Sequence, residues 1–219
     1  MPNAASRTCL HHFVNVLLWL LIFSIGGGVA TLQAQEARRI LVLGDSLSAA
    51  YGLSSEQGWP ALLNQQLKSE PETRHWEVVN ASVSGETTAG GSARIEQAIN
   101  AHAPDIVAIE LGANDGLRGL PLDQAERHLA RIITLSQTAN AKVLLIGMRI
   151  PPNYGPEYTA EFEAMFARLA DTHGTAFLPF LMAPIATDRE AFQADNLHPT
   201  AAAQPLLMQH VLAALKPLL

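Results

Sequence analysis

Cysteine is nearly absent from this 219-residue chain, which holds Cys9 and no other. One thiol forms no internal disulfide and supports no cysteine-based zinc site. Charge is sparse as well, at 16% of residues, and 14 basic side chains face 20 acidic ones for a formal net charge of −6. Neutralising phosphates takes clustered Lys and Arg, so this balance excludes a typical nucleic-acid partner. Several chemistry-bearing patterns are missing. There is no HExxH and no His/Asp cluster at metal-ligand spacing. There is no GxGxxG or GxxxxGK[ST] to cradle a nucleotide, and no GxSxG elbow. What is present is a 48% hydrophobic composition, enough for one domain with a core of its own.

The first segment reads as an address. Residues 1–12 carry Arg7 and no acid, and the apolar run Phe13–Ile25 follows, broken only by Asn15 and Ser24. That run is 13 residues long, whereas a spanning helix needs about 20. Gly26, Gly27, Gly28, Val29, Ala30 and Ala34 supply small residues near a cut. The pattern is that of a signal peptide over residues 1–34, with cleavage after Ala34 favoured over Ala30, and predicts an exported, periplasmic protein, with secretion as the alternative destination. A retained N-terminal anchor is the alternative. Removal would take Arg7 and Cys9 away, leaving a cysteine-free domain over 35–219 with a net charge of −7 and no stable membrane span.

The body alternates apolar runs with amphipathic stretches. Arg39–Gly44, Glu77–Val83, Asp105–Leu111, Lys142–Gly147 and Thr175–Leu178 read as five strands. Between and after them, Gly58–Lys68, Ala93–His102, Leu122–Thr138, Tyr158–Thr172 and Thr200–Leu215 read as helices. Such alternation implies an α/β fold with a parallel sheet covered on both faces. No repeat or long linker divides it, and nothing in the pattern calls for more than a monomer.

Ligands of open parallel sheets gather beyond the carboxyl ends of the strands. Three strand ends carry polar, Gly-containing clusters: Gly44–Ser48, Ser84–Thr88 and Gly112–Gly116. A fourth cluster, Asp195–Thr200, precedes the last helix, and the four should converge on one mouth. Ser46 is the candidate nucleophile, since it follows a buried strand at a Gly-containing turn. His198 is the candidate base, and Asp195, three residues earlier, the carboxylate that orients it. The Ser46 and Gly85 N–H groups and the Asn114 amide are candidate oxyanion donors. Each residue alone has a bland reading: a capping serine, a surface histidine, a turn glycine, an Asx turn. Their joint occurrence favours chemistry, with Asp115 as a turn cap outside it.

In order, GDSLS, SVSGET, GAND and DNLHP resemble the four blocks of the SGNH (GDSL-type) hydrolase superfamily. The likeness covers the chain after the leader and extends to flanks such as ILVLGDSLSAAYGL, ELGANDGLRGL and LHPTAAAQP. It is nearest to the bacterial periplasmic subgroup of acyl-CoA thioesterases, lysophospholipases and arylesterases. The resemblance implies a three-layer α/β/α sandwich on a five-stranded parallel sheet. It also implies an acyl-enzyme on Ser46, ester or thioester substrates including lipid-like ones, and no metal or organic cofactor. Glu86 and Ala113 depart from the Asp and Gly frequent in such relatives, which touches acyl preference more than activity.

The acyl-binding surface is expected in two loops, with Leu117 and Leu120 on one and Ile150 and Pro151 on the other. Gly116 and Gly119 would let the first loop move. The same leucines could equally fill core beneath it. Two other functions stay open on the sequence alone: a carbohydrate acetylesterase using the same machinery, and a non-catalytic small-molecule binding protein.

Overall fold

The computed structural model describes residues 37–219, and the leader assigned to 1–34 lies outside them. Five strands form one sheet: β1 (Arg38–Gly44), β2 (Trp76–Asn80), β3 (Ile106–Glu110), β4 (Lys142–Ile146) and β5 (Ala176–Leu178). Their order is β2-β1-β3-β4-β5 and every pairing is parallel. Ile40–Leu43 and Ile106–Ile109 are buried on both sides of their strands, which is why these runs are continuously aliphatic rather than alternating.

The helices are α1 (Trp59–Ser69), α2 (Thr88–His102), α3 (Ala113–Leu117), α4 (Leu122–Thr138), α5 (Pro156–His173) and α6 (Gln204–Leu215). Right-handed crossovers place α1 on one face of the sheet and α2, α4 and α5 on the other. In agreement, α1 packs on α6, while α4 packs on both α2 and α5. On α4 the stripe Ala125, Leu129, Ile132, Ile133 and Ser136 is buried at helical spacing. The chain thus has the α/β fold expected, a five-stranded parallel sheet between helical layers.

Three boundaries differ from the sequence reading by more than two residues. β2 stops at Asn80 rather than Val83. There the Asn80 side chain turns the backbone, with Oδ1 accepting from Ser82 N–H and Nδ2 donating to the Ser48 carbonyl. Helix α2 starts at Thr88, well before Ala93. Thr87 caps it, and the Asp115 carboxylate accepts from both the Thr88 N–H and hydroxyl at 2.9 and 2.7 Å, so tertiary anchoring outweighs the weak propensity of Gly90 and Gly91. Helix α6 starts at Gln204, with Pro205 in its first turn, not at Thr200. Its first residue is buried, and Gln204 Oε1 accepts from Trp59 N–H at 2.9 Å, fastening the starts of α1 and α6 together.

Candidate active site

The strand order reverses between β1 and β3, and the crevice beyond their carboxyl ends is where open α/β sheets bind ligands. β1 leads directly into the Asp45–Ser46 turn, and β3 into α3, whose second residue is Asn114. Gly44 makes the junction possible. A Cβ there would lie 2.7 Å from Ser48 Oγ and 2.9 Å from Glu110 Oε2, so any larger residue would push the turn off its bed.

Ser46 Oγ lies 2.9 Å from His198 Nε2, and His198 Nδ1 lies 2.7 Å from Asp195 Oδ2. The other oxygen of Asp195 accepts the Leu197 and His198 N–H groups, each at 3.0 Å. These backbone donors, His198 N–H foremost, hold the Asp195 carboxyl down at about 2, and the imidazole adds to them. Asp195 is therefore ionised over any ordinary pH range. The loop that carries both residues is tied back to the nucleophile turn by Gln193. Its Nε2 donates to the Tyr51 carbonyl at 2.8 Å and to the Pro199 carbonyl at 3.0 Å, while its N–H donates to the His198 carbonyl at 2.8 Å. Tyr51 itself lays its ring against His198, with centroids 4.3 Å apart.

The Ser46 and Gly85 N–H groups have no acceptor among the described residues. Gly85 has φ +80° and is exposed at the surface. Its carbonyl accepts from Arg118 Nη2 at 3.0 Å, and the next carbonyl, Glu86, accepts from Asn114 Nδ2 at 3.0 Å. Two side chains of the α3 region thus grip the Gly85–Glu86 backbone, while Glu86 pairs with Arg94. Asn114 Nδ2 also donates to Asp45 Oδ2 at 3.0 Å. Both hydrogens of that amide are engaged, so an oxyanion reaching Asn114 must displace the Asp45 or the Glu86 contact.

Below the turn lie two carboxyl groups that the sequence reading passed over. Asp45 and Glu110 are fully buried. Burial pushes Asp45 up to about 6, against the bonds it accepts from Leu47 N–H and Asn114. Burial, then the neighbouring Asp45 charge, pushes Glu110 well above the carboxylate range. Glu110 Oε2 accepts from Ser48 Oγ at 2.7 Å, while Oε1 is buried without a partner among the described residues. Asp115, read as a turn cap, instead anchors α2 through Thr88.

A cavity of about 360 Å³ opens beside Ser46 and His198, in the range of small-molecule sites. Leu117, Ile150 and Pro151, from the two loops named in the sequence, line it. Leu120 does not: Gly119, at φ +62°, turns the chain so that the Leu120 carbonyl accepts from Tyr158 Oη on α5, and the residue is 37% exposed. Nor is Gly116 a hinge. It sits in α3, where a Cβ would come 2.7 Å from Phe162 and 2.8 Å from Ile150, so its lack of side chain serves close packing. Phe180, Met182 and Phe192 also line it; they follow β5 and were not singled out in the sequence, since such apolar residues look like ordinary core.

Comparison with known proteins decides the family. Residues 42–205 match the GDSL-like Lipase/Acylhydrolase family. The chain belongs to that family. It is 44% identical to Esterase TesA of Pseudomonas aeruginosa over 187 residues, covering 85% of this chain and 92% of that protein. It is 40% identical to thioesterase 1/protease 1/lysophospholipase L1 of Escherichia coli strain K12, covering 94% of this chain and 97% of that protein. The solved structure of a psychrotrophic esterase from Pseudoalteromonas sp., inhibited by monoethylphosphonate, superposes with a TM-score of 0.78 at 40% identity, covering 82% of this chain and 97% of that one. This GDSL-like acylhydrolase is a serine hydrolase of the esterase and thioesterase type.

Proposed function

We propose that this acylhydrolase cleaves carboxylic esters and thioesters through an acyl-enzyme on Ser46. The observation that carries the reading is the unbroken chain from Asp195 through His198 to Ser46 Oγ, with links of 2.7 and 2.9 Å, at the mouth of an apolar cavity. His198 Nε2 takes the hydroxyl proton as Ser46 Oγ bonds to the acyl carbon. The resulting oxyanion meets the unengaged Ser46 and Gly85 N–H groups, and the Asn114 amide once it cedes one present partner. The tetrahedral intermediate collapses, the bond to the leaving oxygen or sulfur breaks, and His198 returns the proton to that group. Water then repeats the sequence, with its proton passing to His198 and back to Ser46 as the acid departs.

Aryl esters, acyl-CoA thioesters and lysophospholipids are the substrate classes this reading favours, since Leu117, Ile150, Phe180, Met182 and Phe192 give the acyl side an apolar wall. Export to the periplasm belongs to the same reading, supported by Arg7, the run Phe13–Ile25 and the small residues after it. Among the described residues no helix is long and apolar enough to cross a membrane. The test is hydrolysis of p-nitrophenyl esters of increasing acyl length by the protein without residues 1–34. Activity with a length optimum is expected, abolished in Ser46→Ala and lowered about 10²–10³-fold in Asn114→Ala. A Ser46→Ala protein as active as the parent would overturn the mechanism.

A further inference from the structure

A large aromatic residue left half in water beside a reacting imidazole calls for a reason, and Tyr51 is such a residue, at 51% exposure. Its centroid lies 4.3 Å from that of His198, with the planes inclined by 33°. Centroids this close, with planes inclined so little, put the tyrosine against the face of the imidazole, while its two nitrogens meet Asp195 and Ser46. Its backbone is pinned on both sides. Tyr51 N–H donates to the Ser46 carbonyl at 3.2 Å, and the Tyr51 carbonyl accepts from Gln193. The flanking residues are Ala50, at φ +59°, and Gly52, at φ +75°. A left-handed alanine is an uncommon conformation that costs energy and persists only where surroundings enforce it. Here it rotates the turn so that the next ring covers the histidine.

We propose that Tyr51 is a positioning residue for the base, holding the His198 ring in plane with Ser46 and stabilising the imidazolium through its π face. The proposal rests on His198 being the general base. A proton moving from Ser46 to His198 creates a positive charge within the roughly 6 Å over which an aromatic face attracts a cation. The groups around that charge come from three directions. Asp195, from the 193–199 loop, meets the edge of the ring. Asp45, in the β1–α1 turn and backed by Glu110 of β3 and Asp115 of α3, is close enough for its own ionisation to respond to His198. Tyr51 meets the face.

The experiment compares Tyr51→Leu, Tyr51→Phe and His198→Ala with the parent, using p-nitrophenyl acetate, whose short acyl group reaches little of the cavity wall. Melting temperature serves as a check of folding. Tyr51→Leu is expected to lose about two- to fivefold in kcat with KM nearly unchanged. The acidic limb of its kcat/KM–pH profile should move down by about 0.4–0.7 pH unit. Tyr51→Phe keeps the π face and should retain parental kcat and profile. Parental kcat and profile in Tyr51→Leu, or a loss confined to KM, would overturn the proposal while leaving the mechanism standing. Equal losses in Tyr51→Phe would also overturn it by assigning the effect to the hydroxyl. An active His198→Ala would instead remove the mechanism beneath it.

Discussion

Glu110 and Asp45 place two fully buried carboxyl groups against the turn that presents Ser46. Their burial has a consequence for stability. Glu110 has its titration raised on folding, so the stability associated with its proton is fully present below the unfolded value near 4.5 and is lost as the pH rises through the folded one. Glutamine keeps the shape and an acceptor for Ser48 Oγ, and it does not titrate. Denaturant unfolding at pH 5, 7 and 9 should show Glu110→Gln gaining on the parent as the pH rises, and a pH-independent difference would contradict the burial argument. Asp195 has the opposite sign: held at about 2 by backbone donors, it contributes stability above its unfolded value that is lost as the pH falls toward 2. Ser46, Asp195 and His198 were legible in the sequence because each sits in a short motif whose turn chemistry is local. Glu110 was not. It ends an aliphatic strand, and the partners that give it meaning, Asp45 and Ser48, lie 65 and 62 positions away. Gln193 was hidden for the same reason, since its tie to Tyr51 spans 142 positions.

The elements that carry these residues are held by close backbone approaches. At the end of β4, Gly147 N–H donates to the Leu178 carbonyl at 2.8 Å, and Leu181 N–H donates to the Gly147 carbonyl at 3.1 Å. A Cβ at Gly147 would run into the Pro179 carbonyl oxygen, a backbone atom that no rotamer change can remove. Gly147→Ala should therefore cost about 1–3 kcal/mol of stability. It should also alter the acyl-length profile, because the displaced segment carries Phe180 and Met182. An unchanged melting temperature would refute that account of the crossing. The strands and long helices could be read from periodicity, because burial on both faces or on one stripe leaves a pattern in the residues. Helix α3 could not. Ala113-Asn114-Asp115-Gly116-Leu117 has the composition of a loop, and what makes it helical is tertiary: Gly116 against Phe162 and Ile150, and Asp115 on the first residue of α2.

The sheet order β2-β1-β3-β4-β5 gathers residues that are far apart in the chain. The switch in strand order between the parallel strands β1 and β3 brings the Ser46 turn beside Asn114, and the return from β5 delivers Asp195 and His198 to the same mouth. Gln193 closes the circuit by joining that last loop to Tyr51. The four motifs consequently read as one site only when the topology is known, although their order along the chain had already suggested it. The proposed mechanism turns on Ser46 Oγ as the atom that carries the acyl group. The direct measurement is reaction of the protein with a fluorophosphonate, followed by intact mass and peptide mapping alongside residual activity. One adduct per chain on Ser46, formed in parallel with loss of esterase activity and absent in His198→Ala at matched times, is the predicted result. Full activity without label on Ser46, or inactivation by a label on another residue, would contradict it.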